Sequence, residues 1–235
     1  MIYVITGTSS GIGEGLAEYY LDKGEKVVGI SRTNTIHHPN FIHLKCDFSE
    51  LTSLHELSLR ECIKEEDFPV RLINNAGIIG DIRRSHELTL THYRDVAMIN
   101  IVAPQYLSSL VLQTFGYENV EIIINISSGA GQRPVPSWGA YCSSKAAIDI
   151  FTETLHKEIQ ELGHKTKVFA IAPGVVDTKM QEVIRNSGPH HFSQNEAFVS
   201  LKETNQLRNA KSVAALLDEF INDTPPEETG VIHRI

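Results

Sequence analysis

The sequence predicts an α/β fold, a single Rossmann-type doubly wound domain over residues 1–235 with a mostly parallel seven-stranded sheet and helices on both faces. Short runs rich in Val, Ile and Leu alternate with longer amphipathic stretches, a pattern typical of parallel strands that are buried on both faces. A glycine-rich segment, Gly7 to Gly13, stands directly between the first strand-like run and the first helix-like stretch. Since no repeat or Pro/Gly/Ser linker divides the chain, one domain is expected.

The elements follow one another in strand–helix order, which requires right-handed crossovers between parallel strands. Strands are predicted at Ile2–Ile5, Lys26–Ile30, Phe41–Leu44, Arg71–Ile73, Glu121–Ile126, Lys167–Ile171 and near Val231–Arg234. Helices are predicted near 11–23, 50–65, 91–113, 138–162 and 210–222. A more polar stretch with Gly188-Pro189 interrupts the alternation and predicts a mobile substrate lid near 179–206.

Composition excludes several classes of partner. The formal net charge of −8 argues against nucleic-acid binding, and the longest apolar runs fall short of the roughly 20 residues of a membrane helix. The three widely spaced cysteines and the lack of a signal-like N-terminus favour a cytoplasmic protein. No metal is expected, because neither His37-His38 nor His190-His191 has the spacing of a helical metal site.

The glycine segment predicts a nucleotide-binding loop. Gly7 would allow a sharp turn, Gly11 a close approach of the backbone to a pyrophosphate, and Gly13 packing of the helix on the strand. The helix N-terminus would then present free N–H groups to the phosphates, and the alternative is a plain tight turn. The expected contacts are Gly7, Ser9, Ser10, Gly11, Ile12 and Gly13.

The next two strand ends favour NADP(H). An NAD enzyme usually has an acid near the end of the second strand, whereas Ser31 and Arg32 stand there, and a guanidinium can bind a 2′-phosphate. Asp47, followed by Phe48, could accept from an adenine amino group. The alternatives are a solvated Arg32 and an Asp47 that only forms a helix-entry turn.

Tyr141 and Lys145 have the spacing of neighbours on one helix face. With Ser128 upstream, they could form a proton donor beside a hydroxyl that holds a carbonyl oxygen. One positive charge at ~4 Å and an effective dielectric of ~20 supplies ~4 kcal/mol, enough to bring a phenol pKa from ~10 to near 7. The same spacing recurs at Tyr19 and Lys23, which are interpreted as a packing residue and a helix C-terminal cation.

Together these residues resemble the short-chain dehydrogenase/reductase family over essentially the whole chain. Further family motifs are matched by Asn74-Asn75-Ala76-Gly77, Asn100, Ser128, Tyr141 with Lys145, and the Pro173, Gly174, Val176 and Thr178 loop. Within the family, residues 172–181 resemble the sepiapterin reductase and benzil reductase branch.

The resemblance implies an NADPH-dependent reductase of a ketone, diketone or pterin-like carbonyl. Tyr141 would be the general acid, Ser128 would hold the substrate oxygen, Lys145 would also bind the nicotinamide ribose, and Asn100 would hold a relay water. The motif residues after the fourth and sixth strands would contact the cofactor. The resemblance also implies a homodimer or homotetramer, paired through helices 91–113 and 138–162.

The substrate side is predicted more coarsely. Candidates are Ser128, Gln132, Trp138 and Met180. Trp138 could stack on a flat substrate or belong to a helix core, and Met180 could be packing or pocket. Two other functions stay open, an NAD-linked alcohol dehydrogenase and a non-catalytic NADP(H)-sensing regulator.

Overall fold

The computed structural model describes residues 1–223 and 231–235. The described strands form one sheet in the order β3-β2-β1-β4-β5-β6-β7, and every neighbouring pair is parallel. The predicted seven-stranded sheet is therefore confirmed. Its strands are β1 Ile2–Thr6, β2 Lys26–Ser31, β3 Phe41–Lys45, β4 Val70–Asn74, β5 Val120–Ile126, β6 Lys167–Ala172 and β7 Ile232–Arg234.

Helices cover both faces of this sheet, because alternate strand residues point to opposite sides and both sides are apolar. Ile2 and Val4 of β1 belong to one core cluster, while Tyr3 and Ile5 belong to the other. The helices are α1 Gly11–Asp22, α2 Leu51–His55, α3 Leu90–Ala97, α4 Ala103–Phe115, α5 Gly139–Glu161, α6 Lys179–Asn186, α7 Gly188–His191, α8 Asn195–Glu203 and α9 Ala210–Asp223.

The helix predicted over 50–65 is wrong in its extent. Only α2 is α-helical, and turns then lead to a short 3₁₀ helix at Glu65–Asp67. Leu54, Leu59 and Ile63 are all buried. At about 100° per residue, Leu59 would lie about 140° around a continuous helix from Leu54. The helix therefore ends between Leu54 and Leu59, and this break lets the chain bury both side chains.

Strand β3 differs from the prediction that it is buried on both faces. It is one of the two edge strands, pairs with β2, and leaves Ile42 38 % exposed. The other edge strand, β7, is also only partly buried, whereas β1, β2, β4, β5 and β6 are largely buried.

Helices α3 and α4 run on through a π-helical turn at Met98–Val102, so one helical segment spans Leu90–Phe115. By length and composition this segment could cross a membrane, since an 18-residue window within it has a mean hydropathy of 1.3. However, 44 % of that window is buried, and α4 packs on β4 and β5. A core helix passes the same test.

The segment predicted as a lid is helical, comprising α6, α7 and α8. Gln181 Nε2 donates to Phe198 O at 3.4 Å, and Asn195 Nδ2 donates to Ile184 O at 2.9 Å, so α6 and α8 are joined. At the base of the segment, Arg208 N donates to Val175 O and Asp177 N to Arg208 O. Movement of this segment stays a prediction.

Candidate active site

The carboxyl ends of the strands open into one cavity of about 780 Å³. This is the edge at which ligands bind in doubly wound sheets. Most of the predicted site residues line it, from the glycine loop to the start of α5. They are Gly7, Ser9, Ser10, Gly11, Ile12, Ser31, Arg32, Asp47, Phe48, Asn75, Ala76, Gly77, Ser128, Trp138, Tyr141, Lys145, Pro173, Gly174, Val176, Thr178 and Met180.

Four predicted site residues do not line the cavity. Gly13 lies behind the loop, where a Cβ would come within 2.3 Å of Gly7 O, so it serves helix–strand packing. The Asn74 amide is buried and donates to Pro104 O, Ser108 Oγ and Asn125 Oδ1. Gln132 is exposed outside the cavity, and its neighbour Arg133 lines it instead.

Asn100 is the fourth predicted site residue that does not line the cavity. Its Nδ2 donates to Ile78 O at 2.9 Å and Ser144 Oγ at 3.0 Å, while its Oδ1 accepts from Ile78 N. Both donors of the amide are therefore used within the protein. Asn100 is 1 % exposed and ties the π-helical turn to the loop after β4, and its role with a relay water stays a prediction.

The glycine loop fits a pyrophosphate. Gly7 and Gly11 have φ values of 75° and 63°, which favour glycine. Ser10 is the extended N-cap of α1, and within the described chain its side chain does not cap the helix, so the first N–H groups stay available. The loop is held to β4 by Thr6 Oγ1, which accepts from Asn75 N and Ala76 N at 2.9 Å.

Where β2 and β3 end, the described residues that line the cavity include an exposed cation, Arg32, and a partly engaged acid, Asp47. Ser31 Oγ donates to Thr33 O at 2.8 Å and lies 3.1 Å from His43 Nε2, whereas the Arg32 side chain is exposed at the cavity rim. Asp47 Oδ1 accepts from both Ser49 N and Ser49 Oγ, which with the nearby Arg32 lower the pKa of Asp47. The helix-entry turn is thus present, and the same carboxylate still lines the cavity.

The other end of the cavity holds Ser128, Tyr141 and Lys145. Ser128 follows β5, and its hydroxyl lies beside Tyr141 on α5 and lowers the pKa of that phenol. Lys145 Nζ lies 5.7 Å from the centroid of the Tyr141 ring and donates to Ile126 O at 2.8 Å. Tyr141 and Lys145 are 7 % and 5 % exposed, so both polar groups are largely shielded from water.

The expectation that Lys145 brings the pKa of Tyr141 near 7 is not met. Burial raises the pKa of Tyr141 to about 12, and the neighbouring Ser128 hydroxyl offsets only part of this effect. Burial also lowers the pKa of Lys145 to about 8, while Asp149 opposes that shift. The helix spacing predicted the pair correctly, but not the cost of removing both groups from water.

The aromatic wall is the part of the site that the sequence indicated least. The Trp138 ring stacks on Phe192 with centroids 5.1 Å apart and meets Phe198 and Tyr141 edge-on. Trp138 is thus both core and pocket lining. In the sequence, the apolar Phe192 and Phe198 within an otherwise polar segment were the signal that could have indicated this aromatic wall.

The second Tyr-x-x-x-Lys pair lies elsewhere. The Tyr19 hydroxyl donates to Asp218 Oδ2 at 3.3 Å, and Lys23 pairs with the same carboxylate. This joins α1 to α9 outside the cavity, as the packing interpretation predicts. Within residues 1–223 and 231–235, no group of three or more His, Cys, Asp or Glu side chains is arranged to hold a metal.

Comparisons with known proteins identify the family of the chain. Residues 1–188 match the family model described as short chain dehydrogenase. A benzil reductase ((S)-benzoin forming) from Bacillus subtilis is 36 % identical over 221 residues, covering 92 % of this chain and 91 % of its own. The Bacillus cereus enzyme of the same description is 33 % identical over 245 residues, covering 99 % and 98 %.

A solved structure gives the same fold. The short chain dehydrogenase/reductase YIR035C from Saccharomyces cerevisiae superimposes with a TM-score of 0.86 at 28 % identity, covering 99 % of this chain and 94 % of that one. The predicted resemblance, including the benzil reductase branch, is confirmed. The chain therefore belongs to the short chain dehydrogenase family of nicotinamide-dependent oxidoreductases.

Proposed function

We propose that the protein is an NADPH-dependent carbonyl reductase with Tyr141 as its general acid. The observation that carries the proposal is the neighbouring pair of Ser128 and Tyr141, with Lys145 behind it, at the aromatic end of a cavity that begins at a glycine-rich loop suited to phosphate. Two hydroxyls at one point can hold a single carbonyl oxygen and stabilise charge that develops on it. NADPH, when bound, supplies the hydride.

The protonation states suit reduction. A Tyr141 pKa of about 12 keeps the phenol protonated at neutral pH, which is the form that an acid needs. The Lys145 ammonium would stabilise the phenolate left after proton transfer. A Cβ at Gly77 would lie 3.5 Å from Asn100 Oδ1 and 3.6 Å from Lys145 Nζ. Glycine therefore leaves room there for the expected relay water.

The substrate class follows from the wall around the pair. Trp138, Phe198, Met180 and Ile79 line this end of the cavity and are apolar. A ketone or vicinal diketone with flat apolar substituents fits it, and two similar relatives are described as benzil reductases. A pterin-like ketone is the second candidate, because Trp138 offers a face on which a heterocycle could stack.

Arg32 tests the choice of cofactor. Replacing Arg32 with Ala should lower kcat/KM for NADPH by about 10- to 100-fold, because a charge-assisted contact contributes about 1.5–3 kcal/mol. The value for NADH should change little. Lys157→Ala, another exposed cation, on α5, is the matched control for net charge. Equal losses with both cofactors would refute NADPH selection by Arg32.

A substrate panel tests the function as a whole. NADPH consumption should be fastest with benzil-like diketones and slower with simple ketones, quinones, pterins, steroids and sugars. Faster turnover of an alcohol with NAD would instead support the NAD-linked dehydrogenase. Tight NADPH binding with no turnover of any carbonyl would support the sensing regulator.

We also propose a cytoplasmic homodimer or homotetramer that pairs through α4 and α5. Tyr106 on α4 and Ile150 on α5 are 37 % and 63 % exposed, and an interface between copies would cover such apolar side chains. Light scattering of the purified protein would give the mass, and a monomer would refute the pairing.

A further inference from the structure

Asp149 is a buried acid beside the Ser128–Tyr141–Lys145 group. It lies four residues after Lys145 on α5, so the two side chains share one face of that helix. It is 4 % exposed, and its Oδ1 accepts from Ser127 Oγ at 2.5 Å. Ser127 immediately precedes Ser128, so the carboxylate fixes the corner from which Ser128 projects.

The second oxygen of Asp149 has no hydrogen-bond partner among the described residues. It points to the 3₁₀ turn Gly129–Gly131, because a Cβ at Gly131 would lie 2.9 Å from it and equally close to the Lys145 carbonyl carbon. A carboxylate oxygen is costly to bury without a partner. A nearby cation offsets that cost, and Lys145 lies one turn away.

We propose that Asp149 is a positioning residue for carbonyl reduction: it holds the Ser127–Ser128 corner and keeps Lys145 charged. The proposal rests on the function proposed above. The two parts depend on different features of Asp149. The Oδ1 hydrogen bond to Ser127 holds the corner, and the negative charge of the carboxylate acts on Lys145. Substitutions can therefore separate them.

The charged surroundings of Asp149 are few. Burial raises the pKa of Asp149, and the Ser127 hydrogen bond opposes part of that shift. On α5, Lys145 lowers this pKa further and Glu153 raises it, both by smaller amounts. The Gly129–Gly131 turn and the π-helical turn carry no titratable side chain. The remaining elements packed on α5 carry His92, Tyr93, Arg94 and Asp95 on α3, Lys167 on β6, and His233 and Arg234 on β7.

The test is the pH profile of carbonyl reduction at saturating NADPH. In the parent protein, the rate should fall as pH rises through the Lys145 pKa of about 8, since the ammonium is lost there. Asp149→Asn removes the charge that raises the pKa of Lys145 but keeps an oxygen for Ser127. In this variant the alkaline fall in rate (the alkaline limb) should therefore occur about one pH unit lower than in the parent protein.

Two controls separate charge from packing. Ser127→Ala breaks the Oδ1 bond and keeps the charge, so it should lower turnover without moving the limb. Glu153→Gln removes one carboxylate a turn further along α5 and should not move the limb downward. Asp149→Ser is a second neutral variant, which decides the matter if Asp149→Asn does not fold.

The proposal is overturned if the neutral variants keep the parental limb, or if Glu153→Gln lowers it as far as Asp149→Asn does. These outcomes differ from a failure of the proposed function, in which the parent protein itself would reduce no carbonyl compound.

Discussion

Tyr141→Phe is expected to reduce turnover by about 10²- to 10⁴-fold, the usual contribution of a positioned general acid. The substitution removes one hydroxyl and keeps the ring that packs edge-on against Trp138. NADPH affinity and the melting temperature should therefore stay close to the parental values. Steady-state rates with a diketone, together with fluorescence titration of NADPH, measure both effects.

The chain provides its own control for this substitution. Tyr19 has the same sequence relation to a lysine, but its hydroxyl bonds Asp218 outside the cavity. Tyr19→Phe should keep parental turnover. A Tyr141→Phe protein with near-parental turnover would show that another group donates the proton.

Lys145→Met is expected to reduce turnover by about 10²- to 10³-fold. An ammonium 5.7 Å from the ring centroid stabilises a developing phenolate by roughly 3 kcal/mol at an effective dielectric of ~20, and each 1.4 kcal/mol is about tenfold in rate. NADPH should also bind more weakly, because family resemblance implies a contact with the nicotinamide ribose. Lys23→Met, which removes the cation of the second pair, should have neither effect.

Stability separates this catalytic loss from unfolding. The pKa of Lys145 falls from 10.5 to about 8 in the folded protein. Below pH 8 the buried ammonium therefore costs about 3 kcal/mol of stability. This cost disappears as pH rises from 8 to 10.5, because the unfolded chain then binds more protons. Methionine removes it, which offsets the lost bond to Ile126 O.

The melting temperature of Lys145→Met at pH 7 should therefore be no lower than that of the parent. If the protein melts much earlier, its low turnover would reflect unfolding instead. Calorimetry of the parent and the variant at pH 7 makes the comparison.

The sheet and the glycine loop could be predicted from sequence because their signals are local. Apolar runs mark β1 and β2, and three glycines mark the turn between β1 and α1. The extent of α2 could not be predicted this way, because the positions of Leu54 and Leu59 in the core decide where the helix ends. The exposure of β3 also depends on its place at the sheet edge, which a single strand does not encode.

The site shows the same division. Tyr141, Lys145 and Ser128 were found by spacing and by motif order, and the structure brings them together. Asn74 and Gln132 carried the right motif or position, yet the direction of each side chain is set by its neighbours. The direction of the Tyr141 pKa shift was predicted wrongly, because the spacing of the pair indicates attraction between charges and does not indicate burial. The places of Asp149 and of the aromatic residues of the 179–206 segment could not be predicted, because tertiary contacts bring these residues to the site.

The most direct measurement of the central claim is the fate of a deuteride. The protein would be given NADPH deuterated at the nicotinamide C4 position, in each of its two stereochemical forms, with benzil as the carbonyl compound. Mass spectrometry and proton NMR of the product should show one deuterium, from one form only, at the carbon that bears the new hydroxyl. A product without deuterium at that carbon, or no consumption of NADPH with any carbonyl compound, would contradict the account.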